Sequence, residues 1–147
     1  METIVRCAKT EDTNKLTTFL ENASLSAEGI EQAIDYFLVL EDDKGNINAT
    51  LGIEPLGEIG LLRSLVMTSK TSEKELLMMF EQMLLLARDK HLKSLYLATN
   101  KSGTLPFFSM MGFVKEEKNL LPEELFQSDH VKHILTVDNS LFMKLTI

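Results

Sequence analysis

The chain has 147 residues, 44% of them apolar and 25% charged, which suits one globular domain over residues 1–147. A formal net charge of −7 argues against nucleic acid as a partner, because phosphate binding needs clustered lysine and arginine. No apolar run is long enough to span a membrane, Met1-Glu2-Thr3-Ile4 lacks the basic and apolar regions of a signal peptide, and the lone Cys7 cannot form an internal disulfide, so a reducing cytoplasm is the expected setting.

Thr3–Cys7 reads as a first strand. Thr10 suits an N-cap, with Glu11 and Asp12 complementing the dipole of a helix over about 11–22 that carries Leu16, Phe19, Leu20 and Ala23 at helical spacing. Ser26–Ile34 suggests a second, shorter helix, weakened by Gly29. Tyr36–Leu40 is the next strand, and Asp42–Asn46 a turn. Ile47, Ala49, Leu51 and Ile53 then alternate with Asn48, Thr50, Gly52 and Glu54, the period of a half-buried hairpin strand. Pro55-Leu56-Gly57 turns, and Ile59–Met67 is apolar on both faces, as a central strand is.

A helix from Ser72 to Arg88 carries a narrow wet stripe of Lys74, Glu81 and Arg88. Ser94–Ala98 is a buried strand, and Pro106–Met111 a short helix ended by Gly112. Phe113–Lys115 is a strand, Leu121-Pro122-Glu123-Glu124 begins a helix, and Leu141–Ile147 is the closing strand. The order predicts an α+β plan: a central mixed, mostly antiparallel sheet of six to seven strands with about four helices.

Several segments, in order, carry a family resemblance. "GLLRSLVM" (Gly60–Met67), "LLLARDKHLKSLYLAT" (Leu84–Thr99) and "PFFSMMGF" (Pro106–Phe113) resemble the fourth strand, the main helix with the fifth strand, and the late helix of the GCN5-related N-acetyltransferases (GNAT). "FLVLEDD", "LLRSL" and "LPEEL" are similar to a small branch associated with amino acids and arsenic resistance. The resemblance implies acetyl-CoA as cofactor and a small-molecule amine as substrate, and it allows a homodimer. It implies that the strand backbone at Leu65, Val66 and Met67 holds the pantetheine arm, that Asn100 contributes after the fifth strand, and that the loop at Ser72–Leu77 meets the pyrophosphate.

That loop departs from the family. Ser72 stands at the basic position, and Glu73, Glu75 and Leu77 replace the glycines that let backbone amides approach an anion. Ser72-Glu73-Lys74-Glu75 is instead a capping-box pattern, in which Ser72 and Glu75 satisfy each other's amides. Two carboxylates would repel pyrophosphate, against which Lys70, Lys74 and Lys101 are the nearby cations; Leu76 completes the stretch.

Arg63, in the central strand, has two readings: a fork for a substrate carboxylate, or an internal salt bridge to Glu54 or Glu58. Glu54 and Glu58 are candidate general bases or solvated turn acids. The family's late helix often offers a tyrosine as acid; Phe107-Phe108 lies there, leaving Ser109 as the hydroxyl. His130 and His133, with Asp129 and Asp138, are expected to be surface residues and no metal is expected; Cys7 and Met78, Met79, Met83, Met110 and Met111 are expected in the core. A second reading keeps the fold as a binding or regulatory module without acyl-CoA chemistry.

Overall fold

Short runs of Ile, Val and Leu between turn residues become strands in the computed structural model, which describes residues 3–100, 102–137 and 140–147. Lys101 and Asp138, named above, and Met1-Glu2 lie outside the described residues. The elements are β1 (Thr3–Cys7), α1 (Thr13–Asn22), β2 (Phe37–Asp42), β3 (Ile47–Leu56), β4 (Ile59–Met67), α2 (Glu73–Asp89), β5 (Ser94–Thr99), α3 (Leu105–Met110), β6 (Val114–Glu116), α4 (Asp129–Val137) and β7 (Leu141–Thr146). The seven strands follow the order β1-β2-β3-β4-β5-β7-β6. β4 and β5 run parallel, and the pairs β1–β2, β2–β3, β5–β7 and β6–β7 are antiparallel. This is the expected mixed sheet with four α-helices. No helix among the described residues is long and apolar enough to cross a membrane. The chain forms two compact units, divided after Glu54, Leu62 and Leu86.

The first unit contains β1, α1, β2, β3 to Glu54, β4 from Arg63, and α2 to Leu86. Leu16 and Leu20, one helical turn apart on α1, pack with Ala8, Ile30, Ile34, Phe37 and Val39. The helix starts later than expected. Asp12 accepts the Lys9 amide at 2.7 Å and both terminal nitrogens of Arg6, so Thr10–Asp12 winds as a 3₁₀ turn and Thr10 does not cap α1. The helix expected over Ser26–Ile34 does not form. Gly29 sits at φ 81°, outside helical geometry, and the segment consists of turns leading to a 3₁₀ turn at Ile34–Tyr36. Cys7 is exposed on strand β1, which pairs only with β2, rather than buried.

β3 corrects a second expectation. Asn48, Thr50 and Gly52 were assigned to a wet face, yet all three are buried, because β3 is an interior strand covered on both faces. Gly52 stands opposite Phe37 of β2, and a Cβ built on it would come 2.7 Å from Phe37 Cε1. Gly52→Ala therefore forces a buried ring to move, and is expected to lower stability by about 1–3 kcal/mol in urea unfolding. An unchanged midpoint would mean that Phe37 repacks freely.

The second unit holds Pro55–Leu62 and the chain from Ala87 onward. Its core is Leu56, Ile59, Leu61, Tyr96, Leu121, Leu125, Val131, Ile134 and Phe142. Leu56 stays in β3, so the β3–β4 turn is Gly57-Glu58 rather than Pro55–Gly57, with Gly57 at φ 67°. Gly112, at φ 104°, closes α3 as expected, and the Phe113 amide reaches back to the Phe108 carbonyl at 3.0 Å. Met110 is 62% exposed and does not fill the core. The helix expected from Leu121 is a 3₁₀ turn over Glu123–Gln127. α4 begins only where the Ser128 hydroxyl accepts the Val131 amide at 3.3 Å.

Candidate functional site

In the first unit, β3 and the middle of β4 place Glu54 and Arg63 together. Arg63 Nη1 lies 3.5 Å from Glu54 Oε1, with the side chains 37% and 29% exposed. This resolves Arg63's partner: it is Glu54. Glu58 lies in the second unit, on the β3–β4 turn, where its carboxylate pairs with Lys93 Nζ at 3.0 Å in an exposed setting. Asn100, just past β5, and Ser109, on α3, are also exposed residues of the second unit.

β4 changes character along its length. Its parallel ladder with β5 covers Ile59–Leu61, and the strand continues to Met67. At Ser64 the backbone enters the left-handed region, φ 58°, uncommon for a residue with a Cβ. The buried Thr50 hydroxyl donates to the Ser64 carbonyl at 2.9 Å. Two residues earlier on β3, the Asn48 carbonyl accepts the Thr68 amide at 3.0 Å and the Thr71 hydroxyl at 3.1 Å. β3 thus fixes both the bend in β4 and the segment that leads to α2. Sequence reading missed these anchors. Polar residues recurring on an interior strand were the available signal for Asn48 and Thr50; nothing marked Ser64.

At the start of α2 the capping box is formed. The Ser72 amide donates to Glu75 Oε1 at 2.8 Å, and the Glu75 amide to Ser72 Oγ at 3.1 Å. A third partner was not foreseen: the Thr3 hydroxyl of β1 donates to Glu75 Oε2. These bonds, that from Thr3 first, hold the Glu75 carboxyl below its usual range. Two of the first four amides of the helix are thereby satisfied internally, and those of Glu73 and Lys74 lie outside the box. Glu73, Lys74 and Lys70 are exposed, and Leu76 and Leu77 are half-buried.

No family model matches the sequence. A relative does: the uncharacterized protein YwlB of Bacillus subtilis strain 168 is 36% identical over 141 residues, 95% of each chain. The chain belongs to the YwlB family. Solved structures similar to this chain give its fold. N-acetylglutamate synthase from Neisseria gonorrhoeae, complexed with coenzyme A and N-acetyl-glutamate, superposes with a TM-score of 0.79 at 17% identity. It covers 99% of this chain, which spans only 35% of that enzyme. An acetyltransferase of the GNAT family from Staphylococcus aureus Mu50 covers 99% of both chains with a TM-score of 0.75 at 16% identity. The fold is therefore the GNAT fold, as the order of segments implied.

Proposed function

We propose that this YwlB-family protein is an N-acetyltransferase that uses acetyl-CoA and accepts a small amine bearing a carboxylate. The observation that carries the reading is the half-buried Arg63–Glu54 pair, set beside the bend in β4 in a GNAT fold. The cofactor fits these residues unevenly. The β4 backbone at Leu65, Val66 and Met67, beyond the stretch paired with β5, suits the pantetheine arm. The α2 start suits pyrophosphate less well, because the Glu75 carboxylate takes the Ser72 amide and the Ser72 hydroxyl takes the Glu75 amide, while the Glu73 and Lys74 amides, with Lys70, supply what attraction remains. Bound acetyl-CoA would supply an activated acetyl thioester.

The chain's own groups do the rest. A pair this long and partly open to solvent contributes about 0–1 kcal/mol, so an incoming zwitterion displaces it readily. The substrate carboxylate takes the Arg63 guanidinium, and the substrate ammonium gives its proton to a Glu54 carboxylate oxygen. Ser109 is the proposed hydroxyl for the departing side, with water as the substitute, and Asn100 a polar contact for the cofactor. Glu58, paired with Lys93, is the weaker choice of base.

Titration calorimetry with acetyl-CoA, followed by turnover over a panel of amino acids and plain amines, tests the reading. Micromolar to sub-millimolar binding with turnover of carboxylated amines is expected. No binding at millimolar ligand would overturn it. The capping box favours one other reading, a GNAT-fold binding module without acyl transfer, which that null result would support.

The box also yields a prediction. Glu75→Gln removes a carboxylate from the helix start and weakens its bond from Thr3. Acetyl-CoA should bind about 3–10-fold more tightly, while stability falls by about 1 kcal/mol. Unchanged affinity would show that Glu75 does not limit cofactor binding.

A further inference from the structure

The geometry points to Thr50 as a positioning residue that holds the bend in β4 and thereby sets the backbone of Leu65–Met67. This inference rests on the acyl-CoA reading for its functional half. A left-handed residue in mid-strand persists only where its surroundings over-determine it. Ser64 has no glycine freedom, yet sits at φ 58°. The Thr50 hydroxyl, on a fully buried residue of the neighbouring strand, meets its carbonyl at 2.9 Å.

Position 50 requires a hydroxyl in particular. Valine has the same shape and would fill the same space, but would leave a part-buried carbonyl without its donor. The anchor acts at one point. The next residues on β4, Leu65 to Met67, inherit their direction from Ser64, and Val66 packs against the first unit's core. Further along, Thr68 and Thr71 are tied to Asn48 of the same strand. Between these ties the β4 backbone is held at both ends by β3, so its amides and carbonyls present one arrangement. A ligand arm that bonds to main chain needs that fixed arrangement, and no side chain of Leu65–Met67 can supply it.

Three variants of the full chain test this: Thr50→Val, Thr50→Ser and the double variant Thr50→Val with Ser64→Gly. Structures of the ligand-free variants give φ at residue 64, and calorimetry gives the acetyl-CoA dissociation constant. Thr50→Val is expected to fold, to release Ser64 from positive φ, and to weaken acetyl-CoA binding about tenfold with KM moving more than kcat. Thr50→Ser should keep both the bend and the affinity. Glycine at 64 takes positive φ without strain, so the double variant should regain the bend and most of the affinity. Should Thr50→Val retain positive φ at Ser64 and wild-type affinity, the inference is overturned. If Thr50→Val is too unstable to purify, the same φ and affinity are read from the double variant; failure to bind there, with the bend intact, overturns the positioning role. Absence of acetyl-CoA binding in the wild type defeats the acyl-CoA reading and the functional half of the inference together, whereas φ at residue 64 in the ligand-free variants still decides whether Thr50 holds the bend.

Discussion

Glu54→Gln is expected to lower kcat for acetyl transfer by about 10²-fold or more, the usual contribution of a positioned general base. The amide keeps the shape of the carboxylate and can still accept from Arg63, so the β3–β4 hairpin should stay folded. KM for the amine should change little, because Arg63 and not Glu54 is assigned the substrate carboxylate. The complement is Arg63→Ala, which should raise KM selectively for carboxylated amines and leave simple amines untouched. Steady-state kinetics on matched substrate pairs reads both. Near-normal kcat in Glu54→Gln would move the proton to water or to another carboxylate. Equal losses on both substrate types in Arg63→Ala would remove the clamp.

The second large effect is on stability. Arg6→Met should destabilise the fold by about 2–4 kcal/mol, because it strands two carboxylates at once. Arg6 gives Nη1 to Asp12 at 2.7 Å, and Nη2 to Asp12 at 2.8 Å and Glu41 at 2.6 Å, with all three side chains less than a quarter exposed. The fork from Arg6, above other causes, lowers the Asp12 pKa from 3.8 to about 2. Because the folded value is depressed, this stability is present above about pH 4 and is lost as pH falls toward 2. Denaturant unfolding between pH 7 and pH 2 should therefore show a shallower acid decline in Arg6→Met than in the wild type. Parallel curves would mean that Arg6 and Asp12 interact little.

Much of the fold could be read from local pattern. Thr3–Cys7, Ile59–Met67 and Ser94–Thr99 are short runs rich in apolar and β-branched residues, and α2 keeps helical period for 17 residues. Gly112 and the Ser72–Glu75 box were legible because capping chemistry lies within four residues of sequence. Failures came where distant partners decide. Asp12 looked like a first-turn acid, but Arg6 of β1 and the Lys9 amide claim it, and the helix begins after it. Asn48 and Thr50 looked solvent-facing by alternation, yet β3 is buried on both faces and uses them to hold β4. Among the site residues, Glu54 and Glu58 were alternative partners for Arg63, and the folded chain pairs Arg63 with Glu54 and Glu58 with Lys93. Thr3 carried no sign of its bond to Glu75.

That last bond joins residues 72 positions apart. Closing so long a loop is entropically unfavourable, so the contact is expected to form after the local hairpins and helices of the first unit. On a ribosome, β1 is made first and waits until the start of α2 has emerged before the link can close. The helix start that meets the cofactor in the proposed function would then be among the last parts to settle, and competence to bind would follow the closing of this one long-range link.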